Sequence, residues 1–214
     1  MVLFMNYRRN NKRFSVAGRG EYLSTSDFIV KYYTNLDACR KFFFDMKWPT
    51  GYYCEKCGCT HYYFMKSKNC YRCAHCKHDE RLFTNTIFQD NKLPLNVLLY
   101  GLFLIFTSKK GISSLELSEE LKVNYKTACL LQTKARILMK NSNSKKSLDS
   151  SFYESDVAYT GAPSHNGKRG LGTDKQPFLV VLSTEQENKY PLYIKLHEIS
   201  SDSGNIIQAF FDQY

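Results

Sequence analysis

The sequence predicts an α+β chain built in several parts. A helical N-terminal segment leads into a metal-stapled stretch of short strands. A pair of helices follows, and then a C-terminal piece in the order β-β-β-α. Three observations predict this. Two C-x₂-C pairs stand mid-chain with 15 residues between them. Apolar residues recur at helical spacing on both sides of those pairs. After a polar stretch rich in Ser, Asn and Lys, the pattern turns to β-branched and aromatic runs bounded by Gly, Pro and Asn.

The charge is divided along the chain in the same way. Of 214 residues, 43% are hydrophobic, enough for a packed core, and the net charge is +10. Residues 1–149 hold 25 Lys and Arg against 12 Asp and Glu, whereas residues 150–214 hold 5 against 8. A basic front and a mildly acidic back fit a phosphate-binding part joined to a part with another task. The plainer alternative is a basic protein whose charge only keeps it soluble. No stretch reaches the roughly 18 apolar residues of a membrane span. The longest candidate, Leu93 to Phe106, is interrupted by Pro94, Asn96 and Gly101. Apolar Met1–Met5 precedes the basic Arg8, Arg9, Lys12 and Arg13, the reverse of a secretory signal. The expected location is the cytoplasm, associated with the nucleoid, where eight cysteines are reduced and free for metal.

In chain order, residues 1–23 read as a basic arm. Residues 24–47 read as one helix with Phe28, Tyr32, Leu36, Cys39 and Phe43 inward and Ser26 or Asp27 as N-cap. Trp48-Pro49-Thr50-Gly51 breaks it, and a cysteine-rich stretch of short strands occupies 48–90. Helices are expected over 95–107 and 113–140, within a helical region at 91–141, separated by Lys109-Lys110-Gly111. A linker at 142–151 follows. Strands are then expected at 152–160, 177–184 and 191–197, and a helix at 203–214 with Ile206, Ile207, Phe210 and Phe211 on its apolar face.

Cys54, Cys57, Cys73 and Cys76 have the spacing of a zinc ribbon. Each pair can sit on a tight knuckle aiming two thiolates at one point, and soft thiolate suits Zn²⁺. Four cysteine ligands close the site, so its role is structural. Binding would add folding energy, roughly 10–16 kcal/mol in zinc peptides, to a stretch poor in aliphatic residues. Cys59, Cys70, His61, His75 and His78 stand close by, and Cys70 with Cys73 makes a third C-x₂-C pair. Cys73 with Cys76 is preferred because it leaves the longer loop and lets a strand through Cys70 lead into the second knuckle. Buried or redox-active thiols are the competing reading.

Residues 112–139 read as a helix-turn-helix. Leu115–Leu121 supplies the first helix, Lys122-Val123-Asn124 the turn, and Tyr125–Met139 the second helix with Ala128, Leu131 and Ala135 inward. Asn124 would cap the second helix. Asn124, Tyr125, Lys126 and Thr127 would then meet a DNA groove or its phosphates. Helix pairs packed purely for stability are the plainer alternative.

These segments, in this order, resemble bacterial insertion-sequence transposases with a zinc ribbon, relatives of the eukaryotic Merlin elements. The residues that carry the resemblance are Trp48-Pro49-Thr50-Gly51-Tyr52-Tyr53-Cys54-Glu55-Lys56-Cys57-Gly58 and Tyr71-Arg72-Cys73-Ala74-His75-Cys76. Further matches are Thr84-Asn85-Thr86-Ile87-Phe88, Lys92-Leu93-Pro94-Leu95, Lys109-Lys110-Gly111-Ile112-Ser113 and the run from Leu121 to Ala128. The resemblance settles the cysteine choice on Cys73 and Cys76. It implies duplex DNA at element ends as a partner, with a second copy or a full-length transposase as a further one.

The resemblance also implies that residues 152–214 open a catalytic domain of the RNase H-like kind. There three acids hold two Mg²⁺ ions for DNA strand cleavage and joining. The family's first catalytic Asp lies in an E-x-D-E-x-Y-x-G-G stretch, matched here by Glu154-Ser155-Asp156-Val157-Ala158-Tyr159-Thr160-Gly161-Ala162. Asp156 is the candidate catalytic acid. Lys168-Arg169-Gly170-Leu171-Gly172-Thr173 fits the family's basic Gly-rich loop. Val157 and Ala162 depart from the pattern. The second acid is expected on a strand beyond Tyr214, since Asp202 falls where a helix cap belongs and Asp212 inside a helix. The expectation is therefore a DDE transposase by descent, C-terminally truncated and catalytically incomplete. A regulator or inhibitor of a full-length transposase is the alternative. A zinc-ribbon transcription factor is a further one, although it would need no β-β-β-α tail.

Overall fold

The computed structural model describes residues 24–108, 110–144, 152–162, 173–184, 191–201 and 203–212. The basic arm, Lys109, the linker from 145 to 151, residues 168–172 of the basic loop, Asp202 and Tyr214 lie outside them.

Two helices occupy the stretch where a single one is expected. Ser24, rather than Ser26 or Asp27, is the cap of α1 (Thr25–Phe28). Its Oγ accepts the Asp27 N–H at 3.1 Å while its own N–H donates to Asp27 Oδ2 at 3.2 Å, a reciprocal capping box. The chain then widens into i→i+5 turns over Ile29–Tyr33 and stops at Thr34. Asn35 restarts it, accepting the Ala38 N–H on Oδ1 at 3.0 Å, and α2 runs Leu36–Lys47. Phe28, Tyr32, Cys39 and Phe43 are buried as read; Leu36, read with them as a core residue, is 52% exposed, because it is the first residue of the new helix, which buries Phe42 in addition. Periodicity that continues across a cap does not register the break.

A three-stranded antiparallel sheet follows, β1 (Tyr62–Met65), β2 (Cys70–Cys73) and β3 (Asp79–Glu80), in that spatial order. Aromatic rings do the packing that aliphatic residues do elsewhere. Phe44 of α2 meets Trp48 at 4.8 Å and Tyr71 at 5.1 Å, and Tyr52 meets Trp48 at 5.1 Å and Tyr62 at 4.8 Å. Tilted and edge-on pairs at such separations add about 0.5–1.5 kcal/mol each beyond the area they bury.

Beyond the ribbon, α3 (Leu95–Thr107) is apolar nearly all round and buries Leu98, Leu99, Leu102, Phe103 and Phe106. Phe28 stacks on Phe103 at 4.1 Å, which fastens the N-terminal helices to it. Helices α4 (Ser114–Leu121) and α5 (Tyr125–Ser144) complete the unit. Gly101 lets them approach α3: a Cβ there would stand 2.6 Å from Leu131 Cδ2 and 2.8 Å from Leu121 Cδ1. Between α4 and α5 the Val123 N–H reaches Ser118 O at 3.0 Å and the Lys122 N–H reaches Glu119 O at 3.3 Å. This is a Schellman motif with Lys122, at φ 52°, in the left-handed position usually given to glycine. Gln132 pins α5 to the start of α4. Its Nε2 donates to Ile112 O at 2.6 Å, and its Oε1 accepts from Ser114 Oγ at 3.0 Å. Helix α5 continues to Ser144, through residues read as linker, since Asn141–Ser144 include neither Gly nor Pro to stop it. N-terminal helices, ribbon and helix pair share one hydrophobic core, from Phe28 to Ala135, in a unit that ends at Lys140.

The second unit, residues 141–214, holds β4 (Phe152–Thr160), β5 (Gln176–Thr184) and β6 (Pro191–Glu198), antiparallel with β5 central, and α6 (Gly204–Phe211). Asp212 caps α6 at its C-terminus and accepts Gln208 Nε2 at 3.0 Å. One sheet face packs Leu179 and Val181 against Phe210, with Val157, Ile206, Ile207 and Phe211 half-buried around them. Glu154 and Asp156 lie on the opposite face, in register with Leu182 and Val180. Ile194 and Leu196 lie on that face too, 52% and 63% exposed. Among the described residues no helix is long and apolar enough to cross a membrane.

Candidate metal centre

The two C-x₂-C turns are near copies of each other. The Cys54 N–H reaches Cys59 O at 2.9 Å, and the Cys73 N–H reaches His78 O at the same distance. The residue after the second cysteine is left-handed in both, Gly58 at φ 70° and Lys77 at φ 58°. Gly58 meets that demand without a side chain, while Lys77 sends Nζ back to Ala74 O at 2.8 Å. Strand β2 carries Cys73 into position. The bond from the Ala74 N–H to His61 O, at 3.0 Å, ties the second knuckle to the residue that precedes β1.

The result is a tight cluster of four sulfurs. Cys54 Sγ lies 3.6 Å from Cys76 Sγ and Cys57 Sγ lies 3.5 Å from Cys73 Sγ, so each close pair joins opposite knuckles. All four sulfurs lie within 4.8 Å of one another. A tetrahedron of Zn–S bonds near 2.3 Å has S···S edges of about 3.8 Å, so the four sites fit zinc with little adjustment. All four cysteines are free of disulfides. Among the described residues this is the only group of three or more metal-ligating side chains, and neither Cys59 nor Cys70 enters it. Cys59 contributes its backbone carbonyl, and its thiol turns to His61 O at 3.8 Å. Cys70 is buried at the head of β2.

The thiols are electrostatically unequal. Burial works against a Cys73 thiolate, but the backbone N–H groups of Cys76 and His75 and the neighbouring thiols outweigh it and draw its pKa down to about 6. For Cys57 the backbone N–H of Cys59 favours the thiolate. Desolvation and the sulfurs of Cys76, Cys73 and Cys54 outweigh that and push its pKa up to about 12. Crowded sulfurs cannot all ionise unaided, and a bound cation removes that conflict.

Residues 35–79 match the family model of the transposase zinc-ribbon domain. The match begins at Asn35, the cap of α2, so it takes in the helix whose Phe44 packs on the ribbon's rings. No curated protein and no solved structure matches the chain. The chain thus carries a transposase zinc ribbon, with four cysteines placed to bind a metal, and this ties it to a transposase-related function.

Sequence reading missed two features that support the ribbon. Lys47 Nζ stands 2.6 Å from Glu80 Oε1, with the Glu80 side chain 1% exposed. Lys47 also donates to Arg81 O at 2.8 Å and Thr84 O at 3.3 Å, and lies over the Trp48 ring at 4.8 Å. The second feature is Tyr52, a buried phenol beside the metal ligands. Only a strand pairing that carries Glu80 inward, beside Tyr71, brings these groups together. No local spacing signals it.

The other candidates sit elsewhere. Asn124 Oδ1 accepts the Lys126 N–H at 2.9 Å, and its carbonyl takes the N–H groups of Thr127 at 2.9 Å and Ala128 at 3.1 Å. Asn124, Tyr125 and Lys126 are exposed, whereas Thr127 is half-buried. Asp156 is exposed on β4, its Oδ1 accepting the Val157 N–H at 2.8 Å.

Proposed function

We propose that this chain is the DNA-binding portion of an insertion-sequence transposase. The transposase zinc ribbon carries the reading. Supporting it, the ribbon shares one core with α4 and α5, and the second of these presents Asn124, Tyr125 and Lys126 to solvent at its N-terminus. In this reading α4 and α5 are a helix-turn-helix and duplex DNA at element ends is the partner. A basic front half supplies the phosphate attraction. The test is binding of the full chain to duplex DNA over a salt series. Affinity should fall steeply with salt, and Lys126→Ala should weaken all sequences alike and reduce the slope by about 0.9, one phosphate contact. No binding at low salt would overturn the reading.

Residues 152–214 are, in the same proposal, the opening of an RNase H-like catalytic domain of the DDE class, with Asp156 as its first acid. The antiparallel β4-β5-β6 sheet followed by α6 supports this, as does Asp156 on the face that α6 leaves open. One carboxylate does not make a Mg²⁺ site. The ion wants several placed oxygens, and cleavage wants two ions about 3.5–4 Å apart. Glu154 shares the open face two residues back on β4, about 6.5–7 Å along the strand, and Glu198 lies two strands away, about 9–10 Å at ordinary strand spacing, so at most one ion has acids on this face to share. The described acids therefore do not compose the pair of sites, and strand cleavage requires further acids. In this proposal the chain by itself binds DNA in the cytoplasm through its front half and acts as a regulator of a full-length transposase. Metal-dependent nicking by this chain, lost in Asp156→Ala, is the result that contradicts this.

A further inference from the structure

The metal centre is half wet and half dry. Cys57 and Cys76 are exposed, so water can serve their sulfurs. Cys54 and Cys73 are buried at 1% and 0% exposure, so hydrogen-bond donors to them must come from the protein. Four thiolates around one Zn²⁺ leave two formal negative charges, and ligand atoms in such sites are held by a second layer of donors. Cys73 has the backbone N–H groups of Cys76 and His75. Beside Cys54 there stands, in addition, a side-chain donor.

Tyr52 is 4% exposed, its ring held between Trp48 at 5.1 Å and Tyr62 at 4.8 Å. Its hydroxyl is sealed from solvent and makes no well-formed hydrogen bond to the protein. An unmet buried hydroxyl costs about 1–3 kcal/mol, so its place needs an explanation. The side chain is two residues from Cys54, whose sulfur is its neighbour, with Cys73 and Glu80 also close. A neutral thiol is a weak acceptor, whereas a thiolate in a dry site is a strong one.

Resting on the zinc reading of the four cysteines, we propose that Tyr52 is a positioning residue of the metal centre, its hydroxyl donating to the Cys54 thiolate when metal is bound. The donor neutralises part of the charge on the sulfur that water cannot reach, and it fixes the direction of the first knuckle. The Lys47–Glu80 ion pair, at 2.6 Å, keeps the buried Glu80 carboxylate near Tyr52 from standing as an unpaired charge.

The experiment compares the full chain with Tyr52→Phe, which keeps the ring contacts and removes only the oxygen. Zinc affinity is read by competition with a chromophoric chelator, and Co²⁺ loading supplies a thiolate-to-metal charge-transfer band. The expected result is a 10–100-fold loss of affinity and a charge-transfer band moved to lower energy, because a sulfur without its donor gives up charge more easily. Equal or tighter binding by Tyr52→Phe overturns the proposal, since removing an unmet hydroxyl would help. Lost stability with unchanged affinity and an unmoved band also overturns it, and assigns the hydroxyl to Glu80. A parent chain that takes up no metal defeats the zinc reading itself, which is a distinguishable failure.

Discussion

Replacing Lys47 by methionine is the sharpest test of how the ribbon is joined to the N-terminal helices. Met keeps an unbranched side chain of similar length and removes the ammonium with its contact to the Trp48 ring, leaving Glu80 at 1% exposure without its counter-charge. Stranding one member of a buried ion pair costs about 3–5 kcal/mol. The lost bonds to Arg81 O and Thr84 O, at 2.8 and 3.3 Å, belong to the same ammonium, so their cost of about 1 kcal/mol each is partly contained in that figure. With a urea slope of about 2 kcal/mol per molar, the unfolding midpoint should fall by roughly 2 M. The chain has one tryptophan, Trp48, 2% exposed and 4.8 Å from the ammonium, so its fluorescence reports this unfolding at saturating zinc. Adding Glu80→Gln to Lys47→Met should restore part of the loss, because a neutral amide is cheaper to strand than a charge. A midpoint shift below about 0.5 M for the single variant, or no recovery in the double, would falsify the account of the pair as a buried, mutually dependent unit.

Other perturbations follow from the same geometry. Purified protein should carry about one Zn²⁺ per chain by metal analysis, and Cys54→Ser or chelation should unfold residues 48–88 as seen by Trp48 emission, while Cys59→Ser leaves the stoichiometry unchanged. Apparent zinc affinity should weaken as pH falls from about 8 to 6: Cys57, pushed up to about 12, holds a proton that the ion must displace, and a lower pH favours that proton. A pH-independent affinity in chelator competition would contradict this. Gly101→Ala should cost about 1–3 kcal/mol in thermal or urea melts, because the new methyl meets Leu131 and Leu121 in a packed core. Lys122→Gly should instead stabilise by about 0.5–1 kcal/mol, by relieving a left-handed lysine, with DNA affinity changing far less than in Lys126→Ala.

Chemistry that depends on near neighbours was legible in the sequence. The two C-x₂-C pairs announced their cluster because each knuckle is a local backbone turn, closed by its own 2.9 Å bond, and spacing determines which thiols such a turn can aim. The strands at 152–160 and 191–197 and the helix at 95–107 were likewise written in short-range pattern and turn residues. The break at Thr34 and Asn35 escaped because helical periodicity is nearly continuous across it, and only the capping bond of Asn35 shows that a new helix starts. Glu80 reads as one more surface acid of a basic chain, and Tyr52 as one tyrosine among sixteen. Their burial beside Lys47 and Cys54 is decided by the pairing of β2 with β3 and by the docking of α2, contacts spanning tens of residues. A buried charge or hydroxyl takes its meaning from the low dielectric around it. That dielectric is a property of the packed fold, and no stretch of sequence carries it alone.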